Sequence, residues 1–312
     1  MRNDLNLSII IVSYNVRQLL LDCIQSVIET ASGIDYEIIV VDNASTDRSS
    51  EAVKEAFPEV KVIVNRENAG FARANNQGYE ISKGEFILLL NPDTIVKSGA
   101  IENTLNFLRD TPDAGVAGCR IIHPDGTLQK SIHTFPSIAE HLLRALFVDR
   151  ILYAQYRKNM YYRKAPFRID YASGAFLMVR REALGEMPLL NSDFFMYAEE
   201  KDLSLRLLNH GWKTYFVHSS EIIHHGEQST KQMETEMFLE LQKSQVKFIS
   251  VHYQEQHKSV MLWSYYLVLL TSLIVSSAFV FTSSGRRRFR LFLAAVRYYP
   301  SFLSGQKEKP GF

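Results

Sequence analysis

Short, nearly continuous apolar runs alternate with amphipathic segments over the first 120 residues. Runs rich in Ile, Val and Leu and bounded by turn residues predict five strands: Leu7–Val12, Tyr36–Val41, Val60–Val64, Phe86–Leu90 and Ala114–Gly118. Apolar residues at helical spacing between these runs predict four helices: Val16–Thr30, Thr46–Phe57, Phe71–Ser82 and Gly99–Arg109. Strands that are apolar on both faces and separated by helices are typical of an open parallel sheet. The pattern therefore predicts an α/β fold whose ligands bind at the carboxyl ends of the strands.

The pattern is less regular between residues 121 and 253. It predicts strands at Ala175–Val179 and Lys213–Val217, and helices at Ala198–His210 and from about Lys231 to His252. An acidic cluster opens the first of these helices, and a histidine pair follows the second strand. No internal repeat is present. We predict one domain over residues 1–253, with halves at 1–120 and 121–253.

A stretch of 27 residues without a formal charge, Ser259–Gly285, begins the third part of the chain. A transmembrane helix needs about 20 predominantly apolar residues, and Trp263 lies near one end with two tyrosines, where aromatic belts form. Five Ser or Thr residues within Met261–Phe281 dilute the apolar character, so a buried helix pair is the alternative. An arginine cluster at 286–290 and a second amphipathic run follow. We predict a membrane-associated region over residues 254–312, which contacts a membrane surface or spans it through residues 259–304.

The composition excludes several classes of protein. The 312 residues are 46% hydrophobic and 22% charged, as in a globular chain rather than a disordered or collagen-like one. The two cysteines, Cys23 and Cys119, are too few for a disulfide framework or a cysteine-based zinc site. The first apolar run is too short for a signal peptide.

The net charge of +1 conceals an uneven distribution. Residues 286–312 contain seven basic residues and one acid, whereas the other 285 residues contain 28 basic and 33 acidic ones. A second basic stretch, Gln129–Arg168, has eight Lys or Arg and two acids. Such an excess favours anionic partners, either phosphates or a lipid surface, although a solvated face is an equal alternative for the internal stretch. We expect no nucleic-acid partner.

The residues after the first strand exclude two common nucleotide-binding loops. A dinucleotide site requires G-x-G-x-x-G at this point, but the chain has no glycine between Met1 and Gly33. Asp42 stands where the ribose-binding acid of that site would be, yet without the glycines hydride chemistry is not expected. The phosphate-binding loop G-x-x-x-x-G-K-[ST] does not occur either.

Polar clusters instead follow successive predicted strands. They are Ser13–Asn15, Asp42–Asp47, Asn68–Gly78 and Asn91–Thr94. Each cluster alone has an ordinary explanation as a turn or a helix cap. Because the carboxyl ends of neighbouring strands meet at one edge of a sheet, we expect the clusters to converge on one crevice.

The order of these motifs resembles that of family 2 glycosyltransferases. The motifs are SYN, DNASTD, NAGFARANNQG, LNPDT, SGAFLMVRR, FFMYAEEKDLSLR and HHGEQST, and they cover residues from about Leu7 to Tyr253. The most similar subgroup is the rhamnosyltransferase-like enzymes of bacterial surface-polysaccharide synthesis. The resemblance implies a GT-A fold, which is a Rossmann-like open mixed sheet flanked by helices. It also implies a nucleotide-diphosphate sugar donor, a divalent metal and inversion at the anomeric carbon.

The implied metal has a physical role in this chemistry. A departing nucleoside diphosphate gains negative charge, and a divalent cation across its phosphates stabilises that charge. Asp93, beside Asn91, resembles the metal-binding acid of the family, and His224 resembles the later ligand of the metal or diphosphate. His225 is the competing candidate for this ligand. The alternative is that both histidines are ordinary polar residues at a strand end and bind no metal. The choice between Mg²⁺ and Mn²⁺ stays open.

The resemblance also implies a set of residues around the nucleotide sugar. Asp42 is expected to accept from the base or ribose, and Gly174 allows a close approach of the donor sugar or acceptor, with a tight strand entry as its alternative. Arg73 and Asn76 share a helix face, where Arg73 approaches the diphosphate or is an ordinary surface arginine. The full predicted set is Ser13, Asn15, Asp42, Asn68, Arg73, Asn76, Asn91 and Gly174.

Inversion requires a general base for the acceptor hydroxyl. The candidates are Glu199, Glu200 and Asp202, of which the first and last share a helix face whereas Glu200 points elsewhere. Acids at a helix N-terminus also interact favourably with the helix dipole. For two of the three acids, this structural role is the alternative to that of general base. Relatives usually have Glu-Asp where this chain has Glu199-Glu200, with the Asp as base, so Glu200 is the preferred candidate. Leu190-Asn191-Ser192 also departs from the family, where Phe-Asp-Glu is frequent.

These inferences combine into one hypothesis. The chain is expected to be a hexosyltransferase (EC 2.4 class) on the cytoplasmic face of a bacterial inner membrane, acting on a lipid-linked glycan. Rhamnose on a thymidine nucleotide is the family-level donor, with galactose, glucose and N-acetylhexosamine open. The alternative is a non-catalytic, membrane-anchored subunit that binds a sugar nucleotide or glycan. A single straight span would export the arginine cluster, so we expect residues 259–304 to be re-entrant or to lie along the interface.

Overall fold

The computed structural model describes residues 5–148, 160–226 and 234–304. The chain divides into two compact units. The first comprises residues 1–134, 161–195 and 199–231, and the second comprises residues 135–160, 196–198 and 232–312. The domain boundary expected at residue 253 stays a prediction. Parts of the internal basic stretch, the Glu227–Thr230 end of the last motif and the tail after residue 304 lie outside the described residues.

Eleven strands are present in the part of the chain that the structure describes. They are β1 (Leu7–Ser13), β2 (Tyr36–Asp42), β3 (Lys61–Val64), β4 (Phe86–Leu90), β5 (Thr94–Val96), β6 (Ala114–Ile122), β7 (Ile132–His133), β8 (Phe167–Ile169), β9 (Tyr171–Ala172), β10 (Phe176–Arg180) and β11 (Lys213–His224). One sheet has the order β3-β2-β1-β4-β10-β6-β11-β5, with β8 paired to β11, and β7 pairs with β9 separately. The predicted open mixed sheet is confirmed.

Strand direction changes once the chain leaves its first half. β1, β2, β3 and β4 pair in parallel, whereas β10 runs antiparallel between β4 and β6. Side chains such as Ile9, Val40, Leu88 and Phe176 are fully buried, because helices cover the sheet. The parallel strands therefore end at one edge: Ser13 is level with Asp42, and Leu90 is level with Ile11.

Five helices of the first unit are close to those predicted: α1 (Arg17–Thr30), α2 (Ser49–Ala56), α3 (Phe71–Ile81), α4 (Ala100–Asp110) and α7 (Glu199–Asn209). The short helix α6 (Arg181–Leu184) was not predicted. α2 begins three residues later than predicted, because the Asp47 carboxylate accepts from the backbone N–H of Ser49 at 3.1 Å and of Arg17 at 2.8 Å. β11 extends past its predicted end at Val217, since a register shift accommodates the polar segment before Glu221.

The second unit is helical. It contains α5 (Ile138–Ala145), α8 (Glu234–His252), α9 (Glu255–Ser277) and α10 (Ser283–Ser304). α10 returns along α9, where the Tyr299 hydroxyl donates to the Leu262 carbonyl at 2.7 Å, and both helices contribute to a buried cluster around Tyr265. By length and composition alone, α9 could cross a membrane, although part of it is buried within this unit.

Candidate active site

The ends of β1 and β2 are joined by hydrogen bonds around Asp42. This side chain is only 1% exposed, and its carboxylate accepts from the backbone N–H of Ser45 at 3.1 Å. Asn15 accepts from the backbone N–H of Thr46 at 2.7 Å and donates its own N–H to the Ser45 hydroxyl at 3.0 Å. The Ser13 hydroxyl is buried and has no partner among the described residues. These bonds hold the predicted Asn15 and Asp42 at one strand edge, where the predicted Ser13 lies level with Asp42.

Asn43 connects this edge to the segment before α3. Its amide nitrogen donates to Asn68 Oδ1 at 2.7 Å, and its amide oxygen accepts from Asn65 Nδ2 at 3.0 Å and from the Ala69 N–H at 2.9 Å. Asn68 Oδ1 also accepts from the Gly70 N–H at 3.0 Å. Asn68, predicted to contact the nucleotide sugar, therefore holds the loop that enters α3. Its contact with a donor stays a prediction.

α3 fixes the segment from Leu190 to Phe195. The Asn76 side chain donates to the Leu190 carbonyl at 2.7 Å and accepts from its N–H at 2.9 Å. Arg73 Nε donates to the Ser192 carbonyl at 3.4 Å. Arg73 and Asn76 therefore share one face of α3, as expected. Because both side chains hold this segment, their direct contact with a nucleotide sugar stays a prediction.

Asp93 and His224 meet at the ends of two distant segments of the chain. Asp93 Oδ1 lies 3.2 Å from His224 Nε2, and the Asn91 amide nitrogen lies 3.4 Å from the same ring atom. Both Asp93 and His224 are largely buried, and β5 and β11 pair next to them, with Thr94 level with His224. His225, the competing candidate, donates its backbone N–H to the Asp93 carbonyl at 2.9 Å.

Gln129 determines which nitrogen of the His224 ring carries the proton. Its amide nitrogen donates to the His224 carbonyl at 2.7 Å and to His123 Nδ1 at 2.8 Å. Its amide oxygen faces His224 Nδ1 at 2.9 Å and so accepts a hydrogen bond from the N–H of that atom. The lone pair of His224 Nε2 then faces the Asp93 carboxylate. Two acceptors at this distance repel each other unless a proton or a cation lies between them.

The Asp93 and His224 side chains are suitable ligands for a divalent cation that receives its other ligands from a diphosphate. Asp93 contributes a carboxylate oxygen and His224 an imidazole nitrogen whose second nitrogen is fixed, which is the usual arrangement of a metal-binding histidine. No group of three or more His, Cys, Asp or Glu suited to a metal occurs among residues 5–148, 160–226 and 234–304. Within the part of the chain that the structure describes, Asp93 and His224 therefore offer two ligands rather than a complete cage.

The three acids at the start of α7 have different environments. Asp202 is buried and bonded to Arg206 Nε at 2.7 Å, and Arg206 also donates to the Pro188 and Leu189 carbonyls at 3.0 Å. Glu199 is 5% exposed, and its Oε2 has no partner among the described residues. Burial raises the pKa of Glu199 well above its usual range, and the charge of Glu200 raises it further. Glu200 is half-buried, and burial raises its pKa as well.

Gly174 lies in open space, since a Cβ at this position would meet no atom within 4 Å. Packing therefore gives no reason for a glycine here, and the predicted approach of a donor or acceptor stays a prediction. Gly70 is different, because its φ is +85° and a Cβ would lie 2.6 Å from Phe195. The Phe71 N–H also donates to the Phe195 carbonyl at 2.7 Å, so this glycine allows two segments to touch.

Sequence reasoning missed two residues of this arrangement. Asn43 stands inside the quoted DNASTD motif, and its position directly after Asp42 was the available signal. Gln129 follows a turn in a basic stretch, and no local pattern distinguishes it from any polar turn residue. Its role arises only when β11 brings His224 beside it.

Comparison with known proteins identifies the family of the chain. The sequence model of glycosyl transferase family 2 matches residues 8–187. The chain is 27% identical over 273 residues to the N-acetylglucosaminyl-diphospho-decaprenol L-rhamnosyltransferase of Mycobacterium tuberculosis, covering 83% of this chain and 88% of that one.

Two solved structures share the fold. The mannosyltransferase PcManGT of Pyrobaculum calidifontis, in complex with GDP-Man and Mn²⁺, has a TM-score of 0.61 at 15% identity and covers 98% of this chain and 89% of its own. TarS 1–349 of S. aureus, in complex with UDP-GlcNAc, has a TM-score of 0.55 at 14% identity and covers 96% and 88%. With its GT-A fold and a family match over more than half its length, the chain belongs to glycosyltransferase family 2 and is an enzyme that transfers a sugar from a nucleotide-sugar donor.

Proposed function

We propose that the protein is an inverting, metal-dependent glycosyltransferase of cell-surface polysaccharide synthesis. Its donor would be a nucleotide-diphosphate sugar and its acceptor a lipid-linked glycan. The observation that carries the proposal is the pair of Asp93 Oδ1 and His224 Nε2, 3.2 Å apart at the carboxyl edge of the sheet. The name of the mycobacterial relative, which places a diphospho-decaprenol lipid in the acceptor, supports the choice of acceptor class.

Asp93 and His224 are the residues that would hold a divalent cation, Mg²⁺ or Mn²⁺. A bound cation stabilises the negative charge that develops on the departing nucleoside diphosphate. The presence of Mn²⁺ in the complex of the Pyrobaculum mannosyltransferase supports this assignment. Gln129 contributes by keeping the His224 ring in the orientation that turns Nε2 toward Asp93.

The nucleotide would bind at the joined ends of β1 and β2. The Asp42 carboxylate accepts one backbone bond and retains further lone pairs for a ribose or base donor. The buried, unpartnered Ser13 hydroxyl lies level with it and offers another polar contact. Asn15 shapes the adjoining turn through its bonds to Ser45 and Thr46.

Glu200 is the preferred general base among the three acids of α7. Asp202 is bound to Arg206, and Glu199 is buried, which raises its pKa and disfavours its carboxylate form. Glu200 is more accessible, and its raised pKa makes its carboxylate a better proton acceptor than an ordinary glutamate. It would remove the proton of the acceptor hydroxyl as that oxygen attacks the anomeric carbon.

Release of nucleoside diphosphate tests the proposal. The full chain is incubated with Mn²⁺ or Mg²⁺, a panel of nucleotide sugars and a polyprenyl-diphosphate-linked sugar, and the anomer of the product is determined by NMR. We expect turnover with inversion, and we expect Asp93→Ala to abolish it. Asp110→Ala, at an exposed acid on α4, is the matched control and should retain activity.

The same experiment separates the alternatives. Binding of a nucleotide sugar without turnover on every acceptor would support the non-catalytic subunit instead. Thymidine-diphosphate rhamnose is the first donor to test, because the mycobacterial relative is named a rhamnosyltransferase. Nucleotide sugars are made in the cytosol, so we place the reaction at the cytoplasmic face of the membrane.

A further inference from the structure

The turn between α9 and α10, residues 278–282, has a fixed conformation. The Thr282 hydroxyl accepts from the Gly285 N–H at 2.9 Å and caps the start of α10. A Cβ at position 285 would collide with the carbonyl oxygen of Phe279, so only glycine permits this close approach. Arg286 Nη1 donates to the Val280 and Phe281 carbonyls at 3.3 and 3.2 Å. The turn therefore presents its side chains in a defined arrangement.

Large apolar side chains of this turn and of α9 face solvent. Phe281 is 75% exposed and Phe279 51% exposed. On α9, Trp263 and Ile274 are 71% and 67% exposed, and helical spacing places them on one face with Leu267. Exposed groups of this size are unfavourable in water and mark a binding surface.

Arginines surround the same turn. An open basin of about 740 Å³ is lined by Ser277, Val280, Arg286, Phe289 and Arg290. Arg286 and Arg290 are one helical turn apart, so they lie on the same side of α10, and both line this basin. Neither forms an ion pair with any residue in the described ranges. A basin with apolar walls and two cationic groups matches a ligand that has a phosphate joined to hydrocarbon.

We propose that the α9–α10 turn is a docking site for anionic phospholipid, with the phenylalanines in the acyl region and Arg286 and Arg290 on headgroup phosphates. The positive charge of the segment favours anionic phospholipid as the ligand, because four arginines within residues 286–290 attract an anionic surface. The same arginines make transfer of this segment through the hydrocarbon core unfavourable. Because Arg286 is hydrogen-bonded to the turn itself, the turn and the arginines then lie together at the membrane interface, without spanning the bilayer. This inference concerns lipid binding alone and does not depend on transferase activity.

Binding of the full chain to vesicles tests the site. Co-sedimentation is measured with vesicles of phosphatidylcholine alone and with added phosphatidylglycerol, and brominated lipids report contact with Trp263 by quenching its fluorescence. Trp263→Phe identifies the part of the signal that comes from this residue. We expect binding to require phosphatidylglycerol, quenching of Trp263, and release of the protein from the vesicles at high salt with alkaline carbonate.

Two arginines on α10 provide a matched comparison. Arg290 lines the basin, whereas Arg288 lies on another face of the same helix. We expect Arg290→Gln to weaken partitioning of the protein onto vesicles about fivefold, as loss of one headgroup contact would. Arg288→Gln should have a smaller effect on this partitioning. Phe281→Ser should reduce the quenching of Trp263. Equal losses for the two arginine variants, binding independent of phosphatidylglycerol, or resistance to carbonate would each overturn the proposal.

Discussion

His224 Nε2 and Asp93 Oδ1 lie 3.2 Å apart, with the imidazole proton held on the opposite nitrogen by Gln129. The pair is thus arranged with two acceptors facing each other, a geometry that a cation relieves. Neither residue makes this arrangement alone. Asp93 follows a strand of the first half of the sheet, and His224 ends β11.

Removing the hydrogen-bond acceptor of His224 should weaken metal binding. We expect Gln129→Leu to lower the affinity for Mn²⁺ about 10- to 100-fold, because the ring loses the bond that fixes its orientation. The affinity is measured by electron paramagnetic resonance of free Mn²⁺ in the presence of nucleoside diphosphate. Gln129→Glu keeps an acceptor for Nδ1–H and should retain binding. Wild-type affinity in the leucine variant would contradict this role.

The acids of α7 should separate by function. Glu200→Gln is expected to lower kcat on the order of 10²–10⁴-fold with little change in KM for the donor, because only proton transfer is lost. Glu199→Gln replaces a carboxyl group whose pKa burial raises and whose neutral form is therefore favoured, so it should reduce kcat far less. Steady-state kinetics of both variants provide the comparison, and a larger loss at Glu199 would reverse the assignment.

Glu199 should also make stability depend on pH. Its pKa in the folded protein is raised by burial above the ordinary value of 4.5, so the unfolded chain releases this proton first. The contribution of Glu199 is therefore fully present below about pH 4.5 and is lost as the pH rises toward the raised value. Denaturant unfolding across this range should show a smaller decline in the free energy of unfolding for Glu199→Gln than for the wild type. Parallel curves for the two proteins would show that this carboxyl group is ionised in the folded state.

Two glycines with almost the same φ allow a direct test of close packing. Gly70 and Gly33 have φ of +85° and +87°, but only at Gly70 would a Cβ meet Phe195. Gly33→Ala carries the cost of a positive φ, about 1–2 kcal/mol. Gly70 has a ψ of 170° as well, a conformation essentially restricted to glycine, so Gly70→Ala should lose a further 1–3 kcal/mol or so through backbone strain and the clash with Phe195 together. Thermal or denaturant unfolding measures the difference. An equal loss at the two positions would mean that the Phe195 segment moves aside at no cost.

The bonds between α3 and the Leu190 segment should be measurable in the same way. Asn76→Ala removes two bonds to the Leu190 backbone and should cost about 1–3 kcal/mol of the free energy of unfolding. Hydrogen exchange at Leu190 should become faster. Asn106→Ala, at an exposed position on α4, should change stability by less than about 0.5 kcal/mol. Unchanged exchange at Leu190 would contradict the assignment.

The sequence was most informative where one local pattern decided the structure. The apolar runs of β1, β2 and β4 are long and buried on both faces, so hydrophobic periodicity alone located them. β5 has only three residues and acquires its strand conformation by pairing with β11, which no local pattern reveals. Gln129 and the anchoring role of Asn76 likewise depend on residues distant in sequence. The polar clusters after β1, β2 and β4 were predicted because strand ends are local features.

Asn43 has a consequence for how a donor would bind. Its amide joins Asn65, Asn68 and Ala69 before any ligand arrives, so the walls beside Asp42 are already ordered. The loss of conformational entropy that ordering requires then occurs during folding rather than on association. A substitution at Asn43 should therefore appear in calorimetry as a more unfavourable binding entropy, even where the nucleotide meets the same chemical groups.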